Sequence, residues 1–307
     1  MERIINLSIS LLLLLLMVSC DDESASPKIE TGLLADQELI SGGTTRFYDL
    51  YLPSTFSNSE QLPLVIDLHG ALLTRGNQRG ISGFEAIAER ENFIVVFPSG
   101  LMGAIGPPVN MTNWRWDYNL SSSKDFDFLN QLIDELIETY GVDPSRIYLS
   151  GFSMGGIMSY AMACKFGDRI AAIGVVAGGM TESMMTDCNP SRAMPVMHIH
   201  GTDDAIALYE GSDENPSVES GILYWVDQSG CSESPTINMI PGTVVNVQSY
   251  CDQEKVELVV VEKGGHNWPG SQSTLFNNSS AGNVNMDINA SEMLWSFLKK
   301  HSHPNPQ

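Results

Sequence analysis

The chain has 307 residues, of which 43% are hydrophobic, enough to bury the core of a single α/β domain. Its 37 acidic and 16 basic residues give a formal net charge of -21 at pH 7. Because nucleic-acid phosphates require a basic surface, this balance excludes a nucleic-acid-binding protein. The same charge is compatible with a soluble, self-repelling protein outside the cytoplasm.

The N-terminus has the pattern of an export signal. Arg3 supplies a positive charge, and the apolar stretch that follows, Leu7 to Val18, is too short to span a bilayer comfortably. It ends in Ser19 and Cys20, which resembles a bacterial lipobox, in which the cysteine is lipidated. The alternative is an ordinary cleaved signal that happens to precede a cysteine.

This pattern predicts three segments. Residues 1–19 form a lipoprotein-type signal, residues 20–39 a lipidated Cys20 with a flexible tether, and residues 40–303 the folded domain. We therefore expect a monomeric lipoprotein of the bacterial cell envelope, in the periplasm or at the cell surface. The lipid anchor would be its only contact with a membrane.

Along the domain, short apolar runs alternate with stretches of helical spacing. An aromatic-rich edge-type strand is predicted first, and residues 101–123 are predicted to be a loop. The predicted strands are 45–52, 64–68, 93–97, 147–149, 171–177, 196–199 and 256–261, and the predicted helices are 84–91, 128–140, 157–163 and 289–300. This alternation indicates a doubly wound α/β fold with a mostly parallel sheet and helices on both faces.

The most informative motif is a G-x-S-x-G pattern at Gly151, Ser153 and Gly155, between a predicted strand and a predicted helix. This arrangement is the nucleophile elbow of α/β-hydrolases, in which a tight turn exposes the serine hydroxyl at the edge of the sheet. The alternative is a glycine-rich turn with an incidental serine. We predict that Ser153 is a nucleophile.

A serine nucleophile needs a histidine base and an orienting carboxylate. In α/β-hydrolases these follow the serine in the order acid, then histidine, each after a strand. Asp203 and Asp204 follow one predicted strand, and His266 follows the last. His198 and His200 precede the acid and so cannot satisfy this order; a histidine within a strand is more often packed in the core.

The loop after the second predicted strand is the expected source of one oxyanion-hole donor. His69 and Gly70 open that loop, and the backbone N–H groups of Ala71 and Met154 are the candidate donors. The alternative is a plain glycine turn with a structural histidine.

Four further cysteines suggest two disulfides in an exported protein. Three pairings are possible, and we favour the sequence-local one, which joins Cys164 to Cys188 and Cys231 to Cys251. The alternative is buried free thiols.

Several strings in the chain resemble the polyhydroxybutyrate depolymerase and feruloyl esterase group of α/β-hydrolases. The resemblance runs from about residue 40 to residue 301, and it is carried by HGALL (69–73), YGVDPSRIYLSGFSMGG (140–156), HIHGTDD (198–204), GGHNWPG (264–270) and INASEMLWSFL (288–298). It implies a serine esterase without a metal or cofactor.

Matching the family pattern residue by residue selects Asp204 over Asp203 as the acid, and it places the serine and histidine on Ser153 and His266. The cysteine pairs also resemble the disulfides of the family. The chain departs from the family at residues 71–73 and 206–209, which leaves the ester open: feruloyl or acetyl esters of plant polysaccharide, or short polyhydroxyalkanoate esters.

Tryptophans near the predicted site suggest a subsite for an aromatic acyl group or a sugar. Candidate substrate-binding residues are His69, Trp114, Trp116 and Trp268. The alternative is that the tryptophans pack in the core. A serine peptidase of related fold and a non-catalytic binding lipoprotein are the competing functions.

Overall fold

The computed structural model describes residues 30–102, 112–114, 123–213, 215–232, 234–251, 255–273 and 281–306. Cys20, Trp116 and the predicted signal lie outside these residues. The strands are β1 (Gly32–Ser41), β2 (Thr44–Leu52), β3 (Leu62–Leu68), β4 (Ile94–Pro98), β5 (Leu101–Met102), β6 (Thr112–Asn113), β7 (Val142–Phe152), β8 (Ala172–Val176), β9 (Val196–Gly201), β10 (Thr236–Met239), β11 (Val245–Tyr250) and β12 (Val256–Val261). The helices are α1 (Arg75–Ser82), α2 (Phe84–Glu91), α3 (Lys124–Tyr140), α4 (Met154–Lys165), α5 (Glu182–Asp187), α6 (Val218–Gln228) and α7 (Ala290–Leu298).

The main sheet of the described chain has ten strands in the order β1-β2-β4-β3-β7-β8-β9-β12-β11-β10. The central run from β4 to β12 is parallel, and antiparallel strands flank it on both sides. The predicted mostly parallel α/β sheet is therefore confirmed. Because parallel strands end at one edge, the loops after β3, β7, β9 and β12 lie on the same side of the molecule.

The edge of the sheet differs from the expectation. β2 is covered by β1, which pairs antiparallel with it from Gly32 to Ser41. The sequence predicts a tether over residues 20–39, but within β1 Leu34 and Leu39 pack against the core. A bulge turns the strand at Asp36, whose backbone N–H donates to Asp49 Oδ1 over 3.0 Å. Three polar residues lie between Leu34 and Leu39 and interrupt the apolar alternation, so the sequence pattern did not predict this edge strand.

Two hydrophobic layers sandwich the sheet. One layer contains buried residues of α3, α4 and α6, and the other contains buried residues of α1, α2 and α7. Strand β3 shows how one strand serves both, since Leu64 and Ile66 face the first layer and Val65 faces the second. Burial on both faces explains why the central strands are continuous apolar runs rather than alternating ones.

Both predicted disulfides are present in the favoured pairing. Cys164 and Cys188 join the end of α4 to the end of α5 with a separation of 24 residues, and Cys231 and Cys251 join residues 20 apart. Each cross-link stabilises the fold by about 3 kcal/mol in the chain-entropy estimate. None of the helices in the described residues combines the length and apolar character that a membrane crossing requires.

Gly155 lets α4 approach the end of β3 at backbone distance. A Cβ atom on Gly155 would lie 2.6 Å from the carbonyl carbon of Leu68 and 2.7 Å from the carbonyl oxygen of His69. These are backbone atoms, so no side-chain rotation can relieve the overlap. Only glycine therefore allows the start of α4 to sit against the loop after β3.

We predict that Gly155→Ala lowers the free energy of unfolding by at least about 2 kcal/mol, because one of the two backbones must move. The measurement is urea denaturation followed by circular dichroism. Gly80→Ala is the matched control, since Gly80 is exposed in α1 and its Cβ would meet nothing within 4 Å. The control should be neutral or stabilising by up to about 1 kcal/mol. Equal free energies of unfolding for the two variants would contradict the requirement for glycine at this backbone contact.

Candidate active site

Three residues predicted from the sequence converge at the carboxyl edge of the sheet. Ser153 follows β7, Asp204 lies just after β9, and His266 lies just after β12. The backbone joins the last two loops directly, because Asp203 N–H donates to the carbonyl of Gly264 over 2.9 Å. The strand ends therefore set the spacing of the site.

Ser153 occupies a strained turn. Its φ of 52° and ψ of -116° lie in a region of backbone conformation that residues other than glycine rarely adopt. Such a conformation costs on the order of 1–3 kcal/mol of folding free energy. Two flanking glycines make the turn possible: a Cβ on Gly151 would lie 2.8 Å from the nitrogen of Gly156, and one on Gly156 would lie 2.7 Å from Val175 Cγ1. The G-x-S-x-G-G pattern thus has a steric cause at each glycine.

The three side chains form a continuous hydrogen-bonded row. Ser153 Oγ lies 3.0 Å from His266 Nε2, and His266 Nδ1 lies 2.7 Å from Asp204 Oδ2. With the imidazole neutral, Nδ1–H donates to the carboxylate, which leaves Nε2 free to accept the serine proton. This is the geometry that a general base needs toward a hydroxyl nucleophile.

The structure distinguishes the two candidate acids. Asp204 is 3% exposed and contacts His266, whereas Asp203 is exposed to solvent. Backbone N–H groups of Ile206 and Ala207 donate to Asp204 Oδ1 over 2.9 and 2.8 Å. Burial alone would raise the pKa of Asp204, but hydrogen bonds from His200 and His266 outweigh it and hold that pKa well below its ordinary value. Asp204 is therefore ionised at neutral pH.

His69 shapes the loop after β3. The ring is fully buried; its Nε2 accepts from Gly100 N–H over 3.0 Å, so Nδ1–H donates to the Gly70 carbonyl over 2.8 Å. Burial lowers the pKa of His69 to about 4, which keeps the ring neutral. Trp114 stacks on this ring and donates its indole N–H to the His69 carbonyl over 2.8 Å.

Two backbone amides beside the elbow are available for an anion. Within the described residues, the N–H groups of Ala71 and Met154 have no hydrogen-bond acceptor. Met154 is the first residue of α4, where the helix dipole favours negative charge. The two amides lie in the chain on either side of the contact between Gly155 and the loop after β3, so this close backbone contact orients both.

Phe152 and the loop after β12 hold His266 in place, a role of Phe152 that no sequence motif indicated. Its ring lies 5.0 Å from that of His266, and a Cβ on Gly70 would lie 2.9 Å from Phe152 Cδ1. Phe152 therefore touches both the candidate base and the candidate oxyanion loop. On the other side, Gly265 N–H donates to the carbonyl of Asn283 over 2.9 Å, which braces the histidine loop.

The aromatic residues expected to bind substrate are in the core instead. Trp268 is 1% exposed; its indole N–H donates to Ser291 Oγ over 3.0 Å and its ring packs edge-on against Phe84. Trp114 and His69 are also buried, as described above. The expectation that Trp268, Trp114 and His69 contact substrate is therefore wrong, because all three rings are enclosed in the core. Trp116 lies outside the described residues.

A pocket of about 220 Å³ is lined in part by Ile157 and Ala207, whose backbone N–H groups donate to Ser153 O and Asp204 Oδ1. We call it the side pocket. Ile157, one helical turn beyond Ser153, forms one wall, and His200 and Ala207 form another. The rest is mainly apolar and includes Met180, Thr181, Ile206, Leu208 and Val218.

Across the part of the chain that the structure describes, no three or more metal-ligating side chains cluster closely enough to hold a metal ion.

Several sequences with curated functions are similar to this chain. A bifunctional acetylxylan esterase/xylanase from Neocallimastix patriciarum is 30% identical over 62% of the chain, and feruloyl esterase B from Piromyces equi is 28% identical over 70%. A poly(3-hydroxyalkanoate) depolymerase from Paucimonas lemoignei is 30% identical over 38% of the chain. These alignments span only 25%, 41% and 28% of the three relatives.

Among solved structures, an acetyl xylan esterase from Aspergillus awamori superposes with a TM-score of 0.59 at 17% identity, covering 77% of this chain and 94% of that protein. This likeness supports the fold. The model of the phospholipase/carboxylesterase family matches residues 57–214, about half of the chain, and this stretch includes Ser153 and Asp204. The chain therefore belongs to the phospholipase/carboxylesterase family of α/β-hydrolases.

Proposed function

We propose that this protein is an exported serine esterase that hydrolyses carboxylic esters through an acyl-enzyme. The observation that carries the proposal is the row from Ser153 through His266 to Asp204, with distances of 3.0 and 2.7 Å, beginning at a strained elbow. The activities for which the relatives are named, which include acetylxylan esterase and feruloyl esterase, support the same reaction class.

In the acylation step, His266 Nε2 takes the proton from Ser153 Oγ as the oxygen attacks the ester carbonyl carbon. The carbonyl oxygen becomes an oxyanion, which accepts hydrogen bonds from the N–H groups of Ala71 and Met154. The tetrahedral intermediate then collapses: the bond to the alcohol oxygen breaks, and His266 gives its proton to that oxygen. Asp204 stabilises the imidazolium while it exists.

In the deacylation step, His266 takes a proton from water, and the hydroxide attacks the acyl carbon. Collapse of the second intermediate releases the carboxylic acid and returns the proton from His266 to Ser153 Oγ. No metal or redox group is required by this sequence of bond changes.

The side pocket supports a substrate with an apolar portion. It begins one turn from Ser153, and its largest side chains are aliphatic, so it suits the ring of a hydroxycinnamoyl group or a short hydroxyacid unit. We propose feruloyl or acetyl esters of plant polysaccharide as the substrate class, with short polyhydroxyalkanoate esters as the second class. Of the residues 206–209, at which the chain departs from the family, Ile206, Ala207 and Leu208 line this pocket.

The proposed export of the enzyme rests on the N-terminal sequence and the cysteines. Residues 1–19 have the pattern of a lipoprotein signal that ends before Cys20, and both disulfides in the fold are typical of an oxidising compartment. A lipid on Cys20 would hold the enzyme at the cell envelope.

We predict that Ser153→Ala lowers kcat for p-nitrophenyl acetate by at least about 10³-fold, because the nucleophile is lost. Asp204→Asn should lower kcat by about 10⁴-fold, since an amide in place of the carboxylate favours the wrong histidine tautomer. Asp203→Asn is the matched control and should stay within about twofold of the wild type, because an exposed side chain without contact to His266 contributes little.

Full activity of Ser153→Ala would contradict the proposed nucleophile, and equal losses in the two aspartate variants would contradict the assignment of the acid. Parallel assays with peptide p-nitroanilides test the competing peptidase function. An esterase should release p-nitroaniline from them far more slowly than it releases p-nitrophenol from p-nitrophenyl acetate.

A second prediction concerns the side pocket. Leu208→Trp adds bulk at its rim, where Leu208 is 49% exposed. We expect KM for methyl ferulate to rise about tenfold while kcat/KM for p-nitrophenyl acetate changes little, since acetate is small. Ile237→Trp, at a site 59% exposed on edge strand β10, is the matched control and should change neither value. Unchanged kinetics in both variants would exclude the side pocket from substrate binding.

A further inference from the structure

A second hydrogen-bonded row of side chains ends at His200, beside Asp204. His200 Nε2 lies 3.3 Å from Asp204 Oδ2, the same oxygen that His266 contacts, and 2.8 Å from the carbonyl oxygen of Ala207. Behind it, His198 Nε2 lies 2.9 Å from His200 Nδ1, and the Tyr160 hydroxyl lies 2.7 Å from His198 Nδ1. The catalytic steps proposed above do not use any of these three side chains.

The direction of this row follows from its last acceptor. The Ala207 carbonyl can only accept, so His200 Nε2 carries a proton and donates it. With both imidazoles neutral, His200 Nδ1 then accepts from His198 Nε2–H, and His198 Nδ1 accepts from the Tyr160 O–H. Burial lowers the pKa of His198 well below its ordinary value and raises the pKa of Tyr160, which agrees with a neutral imidazole and a protonated hydroxyl.

Every member of the row is buried. Tyr160, His198 and His200 are between 0% and 2% exposed. Tyr160 also stacks on Trp225 with a centroid distance of 6.0 Å, which fixes the far end of the row in the core between α4 and α6. Rings held in this way cannot rotate to find water, so each hydrogen bond fixes the tautomer of the next residue.

The near end of the row acts on the acid in two ways. His200 N–H donates to the carbonyl of Ala207, whose own N–H donates to Asp204 Oδ1 over 2.8 Å, and His200 Nε2 also lies 3.3 Å from Asp204 Oδ2. Both carboxylate oxygens are therefore positioned by contacts that depend on His200. The other groups around this site are His266, on Asp204 itself, and Tyr209, whose ring meets that of His200 edge-on and whose hydroxyl donates to Glu219.

We propose that His200 is a positioning residue of the esterase, held in one tautomer by His198 and Tyr160, and that it orients the Asp204 carboxylate toward His266. The proposal rests on the proposed function. The positive end of the His200 N–H dipole, with Nε2 3.3 Å from Asp204 Oδ2, also reduces the negative potential that the carboxylate exerts on His266.

The test compares His200→Phe with His200→Gln in the full chain, assayed on p-nitrophenyl acetate from pH 5 to 9. Phe keeps ring volume but has no donor, whereas the Gln amide can still donate to Asp204 and Ala207. His200→Phe should lower kcat by about 10- to 100-fold, the effect of losing one hydrogen bond to a charged group, with little change in KM. It should also move the acid limb of kcat/KM to higher pH, and Gln should reverse most of both effects.

Two tyrosine variants test the row from its far end. Tyr160→Phe removes the O–H that fixes His198 and should lower kcat by about two- to fivefold, since it acts on the site through two rings. Tyr148→Phe is the matched control: it deletes another buried hydroxyl, one that donates to the His301 carbonyl over 2.8 Å and has no contact with Asp204. The control should leave kcat and the pH profile unchanged.

Wild-type kcat and pH profile in a folded His200→Phe would overturn the proposal, as would a failure of Gln to restore activity. If His200→Phe does not fold, equal effects of the two tyrosine variants would overturn it instead. Ser153→Ala, assayed alongside, separates the two hypotheses. Turnover that survives this change contradicts the esterase function itself. If Ser153→Ala abolishes turnover but the His200 variants keep wild-type kinetics, only the positioning role is contradicted.

Discussion

The site depends on one close contact between two backbones, that of α4 at Gly155 and that of the chain leaving β3 at Leu68 and His69. This contact brings the start of a helix, with its unpaired N–H groups and its dipole, against the loop that carries Ala71. The strained conformation of Ser153 belongs to the same turn. Any side chain at Gly155 would separate the elbow from the candidate oxyanion loop, so the chemistry and the packing share one steric requirement.

The second requirement is a buried carboxylate that stays ionised. Asp204 loses most of its contact with water, which by itself opposes charge. Four polar contacts compensate: the backbone N–H groups of Ile206 and Ala207, the N–H of His266, and His200 Nε2 at 3.3 Å. Three of them come from residues after or at the end of the same strand, β9, so a short stretch of chain both supplies the acid and solvates it. This local solvation keeps the carboxylate available to orient the base.

Sequence patterns predicted the central strands, the elbow and the order of Ser153, Asp204 and His266, because each depends on local periodicity or on a motif tied to a strand end. Short or polar elements were missed: α1 and α5 have few apolar residues, and β10 is exposed throughout. Helix α6 was also missed, although Val218, Ile222 and Trp225 recur at helical spacing. The role of Trp268 was also missed, since only tertiary packing shows that its ring is enclosed. The period-two spacing of His198 and His200 indicated a shared face, but the hydrogen bonds from Tyr160 to Asp204 join three separate elements and leave no pattern in the sequence.

The most direct test of the account is covalent labelling with an active-site-directed fluorophosphonate, followed by intact-mass measurement and peptide mapping. A half-buried serine within hydrogen-bond distance of His266 should react once per chain, and the added mass should map to Ser153. Ser153→Ala should take up no label, while Asp203→Asn should label like the wild type. Absence of label on the folded wild-type protein, or label on a different serine, would contradict the account.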